Sequence, residues 1–393
     1  MTFFSTQTAQ RALMCSATAL ALSACGGSDS NAPATPAPAA APVLTNQLYA
    51  QTNETVNTVV HMIRKADGSI SVKNRTASGG AGLNGLRPGA ASAGPNSLGS
   101  QNSVIISADK TLLFAVNGGD ASVSVFAIDQ LTGDLTLKKS TKLLGSTPSS
   151  LAYRNGFLYV MFQSGANQVG AYAVQADGAL SQLSLQNLPL AGVTPTQVVI
   201  SPDGNFVVVS AGVGANVVVA YPMNKDGSLG SPVSNSVTTP FAGAFAAASI
   251  YLSSDISGRA LASYSFNNAG VLKLIGSVIS GEAAPCWLVV TPDGKYAYVG
   301  NGAGTVSSYA VAAAGALSLL QAKAATEPGV LPGVNSVSGD SWISADGKFL
   351  YADYLGADKV VAYSIGADGS IAKLNEQIIG TMTQLSLQGL AGI

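Results

Sequence analysis

Charge is what this sequence has least of. Only 10% of its 393 residues are charged, and the net charge is −1. No basic stripe interrupts the chain, so the electrostatic footprint of a nucleic-acid surface is missing. An anionic membrane surface finds no polybasic partner either. Histidine occurs once, as His61, and cysteine three times. One imidazole without a cysteine pair excludes a zinc ligand set, and nothing calls for a cofactor. The Gly-rich runs 212–214 and 300–304 lack the following helix of a phosphate cradle, so they read as turns between strands. Helical periodicity is missing too: between residues 47 and 380 no apolar run repeats at i, i+3, i+4.

The only long apolar run lies at the N-terminus, from Arg11 to Ala24. It is too short to span a bilayer and reads as a targeting segment. Leu22-Ser23-Ala24-Cys25-Gly26 at its end resembles the bacterial lipoprotein box, in which the cysteine is lipidated and becomes the mature N-terminus. The expected division is therefore a signal peptide over 1–24, a lipidated Cys25 with a Pro/Ala-rich linker over 25–46, and a folded body over 47–393. The anchor places the protein in the bacterial cell envelope, with the membrane touched only through the lipid. Cys15 leaves with the signal and Cys25 carries lipid. Cys286 is then alone, and no intrachain disulfide can form even in an oxidising compartment.

What the chain has in quantity is glycine and tyrosine, 44 and 13. The stretch 285–321, PCWLVVTPDGKYAYVGNGAGTVSSYAVAAAGALSLLQ, shows how they are used. Leu288-Val289-Val290 stops at Thr291-Pro292-Asp293-Gly294, a turn in which Pro presets φ and Asp and Gly tolerate positive φ. Tyr296, Tyr298 and Val299 restart a strand, which 301–304 breaks. Val306 to Val311 is a third strand, and Leu317 opens a fourth after Ala314-Gly315. Two turn series recur through the chain. One runs through Asp109, Asn155, Asp203, Asp293 and Asp346, between the first and second strands (A and B) of each unit. The other runs through Gly68, Gly133, Gly178, Gly227, Gly270, Gly315 and Gly369, between the third and fourth (C and D). A Gly/Ser/Pro-rich insertion at 78–101 stretches the first interval.

Seven four-stranded units with a period of about 40–50 residues predict an all-β, seven-bladed β-propeller with antiparallel blades. The first unit lacks strand A and opens on Leu48-Tyr49-Ala50-Gln51, which matches strand B. The C-terminal Leu387 to Ile393 is expected to return as that missing strand, so that both ends of the chain close blade 1 and no sheet edge stays open at the seam. A monomer is expected.

In a propeller the loops from D to A and from B to C gather on one face, around the mouth of the central channel. Two rings of positions are expected there. The late position of strand B carries Thr52, Asn117, Phe162, Ala211, Ser254, Asn301 and Tyr354. The start of strand A carries Asn102, Ser149, Thr196, Phe241, Cys286 and Gly339, followed by Ser103, Ser150, Gln197, Ala242, Trp287 and Asp340. Asp340 is the one carboxylate in these rings and the candidate base; general acid–base work requires such a group. Asn102, Asn117, Gln197 and Asn301 are candidate ligand amides, and Trp287 and Tyr354 candidate stacking platforms. Arg87, Glu282 and Glu327 in D–A connections, and Arg259 after a B–C loop, are candidates to reach the same face. Cys286 has no histidine near it to make it a nucleophile.

Repeats such as SPDGNFVVVS, TPDGKYAYVGN and SADGKFLYADYLG resemble those of the seven-bladed lactonase-type propellers. That group includes the propeller 6-phosphogluconolactonases and the carboxymuconate-cyclase-like proteins. LYAQTN at 48–53, PCWLVVTPDG at 285–294 and the Gly-Leu-Ala ending look like its secreted branch. The resemblance covers residues 47–393 and implies a lactone hydrolase. The family's Pro-His-x-Val at an inner strand stands here as Pro195-Thr196-Gln197-Val198, so Thr196 occupies the histidine position. Its Asp-Leu-Gly stands as Tyr354-Leu355-Gly356. Three roles follow: a lactone hydrolase, a propeller that binds a small carbohydrate or lactone or a protein loop at the channel mouth, and a structural protein of the envelope.

Overall fold

The computed structural model of the chain describes residues 44–166 and 168–393. The expected signal peptide, Cys25 and nearly all of the expected linker lie outside the described residues. Within them every regular element is a strand, and the strands form seven four-stranded antiparallel sheets. Blade 1 holds Gln47–Gln51, Thr58–Arg64 and Ile70–Ala77 as strands B, C and D, and its strand A is the C-terminal Gln388–Gly392. Strands A of blades 2 to 7 begin at Val104, Ser146, Gln197, Pro240, Pro285 and Ser338. Each strand A touches the next around the ring, from blade 1 through blade 7 and back. The expected closure is therefore present: Leu48 to Gln51 pair antiparallel with Gly392 to Gln388.

The period-2 alternation of a strand explains why blades stack. Leu48 and Ala50 pack on blade 7, while Tyr49 between them packs on blade 2. The same division places one apolar cluster at each of the seven blade-to-blade interfaces. There is no single core; the body is a ring of seven thin ones.

The turn series do two jobs. All seven C–D glycines have positive φ, which L-residues rarely tolerate. They also lean on the blade before them. A Cβ on Gly369 would sit 2.4 Å from the Tyr296 ring, and one on Gly227 2.3 Å from the Phe157 ring. Four of these glycine carbonyls accept a buried tyrosine hydroxyl from the neighbouring blade: Tyr49 to Gly133, Tyr159 to Gly227, Tyr298 to Gly369, and Tyr351 to Gly68, at 2.7–3.0 Å. That recurring clamp, worth about 1 kcal/mol each, accounts for part of the tyrosine content. In the A–B turns, Ser107, Ser201, Thr291 and Ser344 each donate to the Asp two residues on, at 2.6–2.7 Å. Those hydrogen bonds hold the four Asp carboxyls below their ordinary range.

The described chain begins on the A–B face. Leu44 packs beside Val104 and Ile106, and its carbonyl accepts the Lys110 ammonium at 3.3 Å.

Candidate functional site

Strand A of each blade starts at the face where the D–A and B–C loops gather. That mouth of the channel is filled by the protein itself. The insertion after blade 1 ends in Ser97–Asn102, a segment of polar residues with one leucine, and lays it across the opening. Gln101 spans the ring as a two-way clamp: its Nε2 donates to the Leu288 carbonyl at 2.8 Å, and its Oε1 accepts the Leu288 N–H at 2.9 Å. Its own N–H donates to the Thr196 carbonyl at 3.1 Å. The Trp287 indole N–H donates to the Ser100 carbonyl at 3.0 Å, and the Ser100 hydroxyl to the Ser149 carbonyl at 2.6 Å. Gln388 of the closing strand accepts the Leu98 N–H at 3.4 Å. The Asn102 N–H donates to Asp340 Oδ2 at 3.0 Å. One six-residue segment thus bonds to blades 1, 3, 4, 6 and 7. Burial of this segment is tolerable because its own side chains, Ser97, Ser100 and Gln101, are paired.

Asp340, the expected base, lies under this seal and is 2% exposed. Burial pushes its carboxyl up to about 7. A second carboxylate, Asp353 of strand B in the same blade, is packed with it and is also pushed well up, by burial and then by Asp340. The donors that face the two carboxyls are backbone N–H groups, of Asn102, Ser103 and Leu390 at Asp340 and of Gly389 and Asp340 at Asp353, and no cation is among them. Two like charges without counter-charge cannot both ionise in such a place, so the pair holds at least one proton at neutral pH. It has the chemistry of an acid–base dyad and is buried beneath the seal.

The late strand-B ring does not converge on the channel, which corrects the sequence expectation. Asn117 bonds Asn57, Ser78, Ser122 and Ser124. Asn301 ties its own B–C turn through Thr305 and Ser307. Tyr354 bonds Tyr363 hydroxyl to hydroxyl at 2.7 Å. Strand B stands behind strand A, and its side chains rise perpendicular to the blade. They therefore meet the adjacent blades rather than the axis. The start of strand A does line the mouth, but under the seal: Trp287 is 1% exposed and packs on Phe241 at 5.0 Å between ring centroids. Gln197 is buried and accepts the Gly243 N–H. Cys286 is buried, which pushes its thiol up to about 12, away from thiolate chemistry.

The loop charges divide as well. Glu327 is held by Lys359 at 2.6 Å and Lys373 at 2.7 Å, with Glu376 completing a four-charge cluster between blades 6 and 7. Glu282 accepts the Thr305 hydroxyl, and exposed Arg259 donates to the Glu282 carbonyl at 3.1 Å. His61 stacks on Tyr49 and meets Gln47 at 2.6 Å, far from the mouth; burial lowers its pKa to about 4.

Arg87 and Thr196 do come together. They line a cleft of about 260 Å3 beside the seal, with Gln163, Ser164, Thr194 and Phe241. Thr196 lies 2.5 Å from the Phe241 carbonyl and 3.2 Å from that of Ser210, so its single proton is committed to the backbone. Arg87 donates one bond, to the Asn96 carbonyl at 2.9 Å, and is otherwise exposed. Arg87 is the only ionisable side chain lining the cleft.

Gln101, Gln388 and Asp353 are the residues that sequence reasoning missed. Asp353 carried a signal, since a carboxylate inside the run FLYADY breaks an apolar strand. Gln101 and Gln388 sit in Ser/Gly/Gln stretches, and nothing local separates a channel seal from an ordinary loop.

The sequence profile of the family described as "Lactonase, 7-bladed beta-propeller" matches residues 46–185, 116–245 and 233–384. No curated protein matches the sequence. Among solved structures, a putative 6-phosphogluconolactonase from Bacteroides fragilis is similar at 17% identity and a TM-score of 0.67, over 88% of this chain and 98% of that one. A second putative 6-phosphogluconolactonase, from Bacteroides uniformis, gives 18% and 0.66 over 86% and 98%. The periplasmic gluconolactonase of Pseudomonas aeruginosa gives 18% and 0.67 over 88% and 98%. At these identities the likeness shows the fold.

Proposed function

The chain belongs to the seven-bladed β-propeller lactonase family, and from that premise we propose that it is a cell-envelope lipoprotein which binds a sugar acid or its lactone without hydrolysing it. One observation carries this reading: the cleft at the family's histidine position offers a cation, an amide and hydroxyls, but no group that can move a proton. Arginine stays protonated in proteins. Asp340 and Asp353, whose carboxyls burial raises, lie beneath the seal, and Asp358, also raised, is tied to Thr381 and does not line the cleft. Arg87 supplies a two-pronged donor for a carboxylate, and Gln163, Ser164 and Thr194 suit hydroxyl groups. A 6-phosphate would call for more positive charge than Arg87 alone. The anchor rests on the Leu22–Gly26 box, and a monomer without cofactor fits the closed ring.

The names of the similar solved structures favour the other reading, a lactone hydrolase, and one experiment separates the two. Glucono-δ-lactone and 6-phosphogluconolactone are offered to the purified protein while gluconate binding is followed by calorimetry. Turnover stays at the spontaneous rate, and gluconate binds and is lost in Arg87→Ala. Hydrolysis above the spontaneous rate that disappears in Asp340→Asn would overturn the proposal in favour of an enzyme.

A further inference from the structure

The far end of the channel is built the opposite way. Along strands A of blades 2, 4 and 6 the burial stops before the strand does: Ile105 and Ile106, Val199 and Ile200, and Val289 and Val290 are half-exposed at the A–B end. Blade 5 does the same from Ala244 to Ala246. Those of blades 4, 5 and 6 surround a cup of about 300 Å3, walled by Val199, Ile200, Phe245, Leu288 and Val290. A wider hollow of about 640 Å3 shares Asn102, Val199, Ile200 and Pro202 with it and runs on under blades 2 and 3. No ionisable side chain lines the inner cup.

Its base is the underside of the seal. Gln101, Asn102 and Gln197 close it. Gln101 is spent on Leu288. Gln197 uses its Oε1 on the Gly243 N–H, which leaves its NH2 group without a protein partner. The Asn102 amide reaches only the Val198 carbonyl, at 3.5 Å. Two amides with unused capacity therefore stand at the bottom of an apolar, uncharged cup. Concave sites with apolar walls and a few convergent polar groups are what small-molecule sites look like.

We propose that this cup binds a neutral molecule with an apolar body and a single amide, carbonyl or hydroxyl group, inserted with the polar end against Asn102 and Gln197. A charged end would have to be desolvated with no counter-charge. A polyhydroxylated sugar would leave its hydroxyls unpaired against valine and phenylalanine, so this ligand differs in kind from that of the Arg87 cleft. The two sites open on opposite faces and are separated by the seal.

N-phenyl-1-naphthylamine, a neutral aromatic with one N–H, is the probe. The purified protein should bind it saturably with enhanced emission, and octanamide should displace it about tenfold better than octanoate does. Val199→Asp should weaken probe binding about tenfold with the melting temperature retained, and Arg87→Ala, on the other face, should leave it unchanged. Absence of saturable binding, equal competition by octanoate, or wild-type affinity in folded Val199→Asp would each overturn the proposal. If Val199→Asp does not fold, the octanamide-to-octanoate ratio on the unaltered protein decides.

Discussion

The two ends of one channel make opposite use of the same strands. At the D–A face the chain lays Ser97–Asn102 across the starts of the inner strands and, with Gln388, bonds it there through side-chain and backbone groups. At the A–B face the strands A of blades 2, 4 and 6 end in apolar residues, which among the described residues stay half-exposed. A ring rich in hydrogen-bonding groups suggests a binding site only while those groups are free. Here they are the cement of the closure, and the chemically plainer end is the one with room.

The largest effect should come from removing the closing strand. Deleting residues 385–393 takes away strand A of blade 1 and the Gln388 latch together, and should abolish cooperative unfolding or lower the melting temperature by more than about 10 °C. A melt unchanged by the deletion would break the link between closure and seal. Trp287→Ala, at the sealed end, should cost about 3–5 kcal/mol in denaturant unfolding. Val290→Ala, at the open end, should cost under about 1 kcal/mol because its side chain is only half withdrawn from water; equal costs would erase the contrast. Gln101→Ala leaves the Leu288 N–H and carbonyl unpaired under the seal, and should cost about 1–3 kcal/mol.

The smallest effect is one of pH. Asp340 and Asp353 keep protons that the unfolded chain releases near pH 4. The contribution of Asp340 to stability is whole below that pH and is lost as the pH rises through about 7, and that of Asp353 is lost as the pH rises through its own raised value. His61, lowered to about 4, works in the other direction: its contribution is present above its ordinary 6.5 and fades as the pH falls towards 4. The decline in melting temperature between pH 6.5 and 8 therefore reports the carboxylates, and Asp353→Asn should flatten it. A decline of the same size in the variant would show that the pair does not set it.

Much of the fold was legible because it rests on local chemistry. The seven C–D glycines, the Ser/Thr-x-Asp turns and the unpaired opening strand at Leu48 all behave as their sequence implies. The site was harder to see because it depends on what lies over it. Asn102, Thr196 and Trp287 fell at the mouth as the register required, but a ring alignment cannot show that an insertion 78–101 comes back to cover them. Asn117, Asn301 and Tyr354 were misplaced for a geometric reason: period 2 decides which blade a strand-B side chain faces, and strand A stands between it and the axis.

The hold of Lys110 on the Leu44 carbonyl keeps the first described residue on the same face as the hydrophobic cup. The Arg87 cleft opens on the other face. Ligands of the two sites would therefore approach the ring from opposite sides, and neither would pass the seal to reach the other.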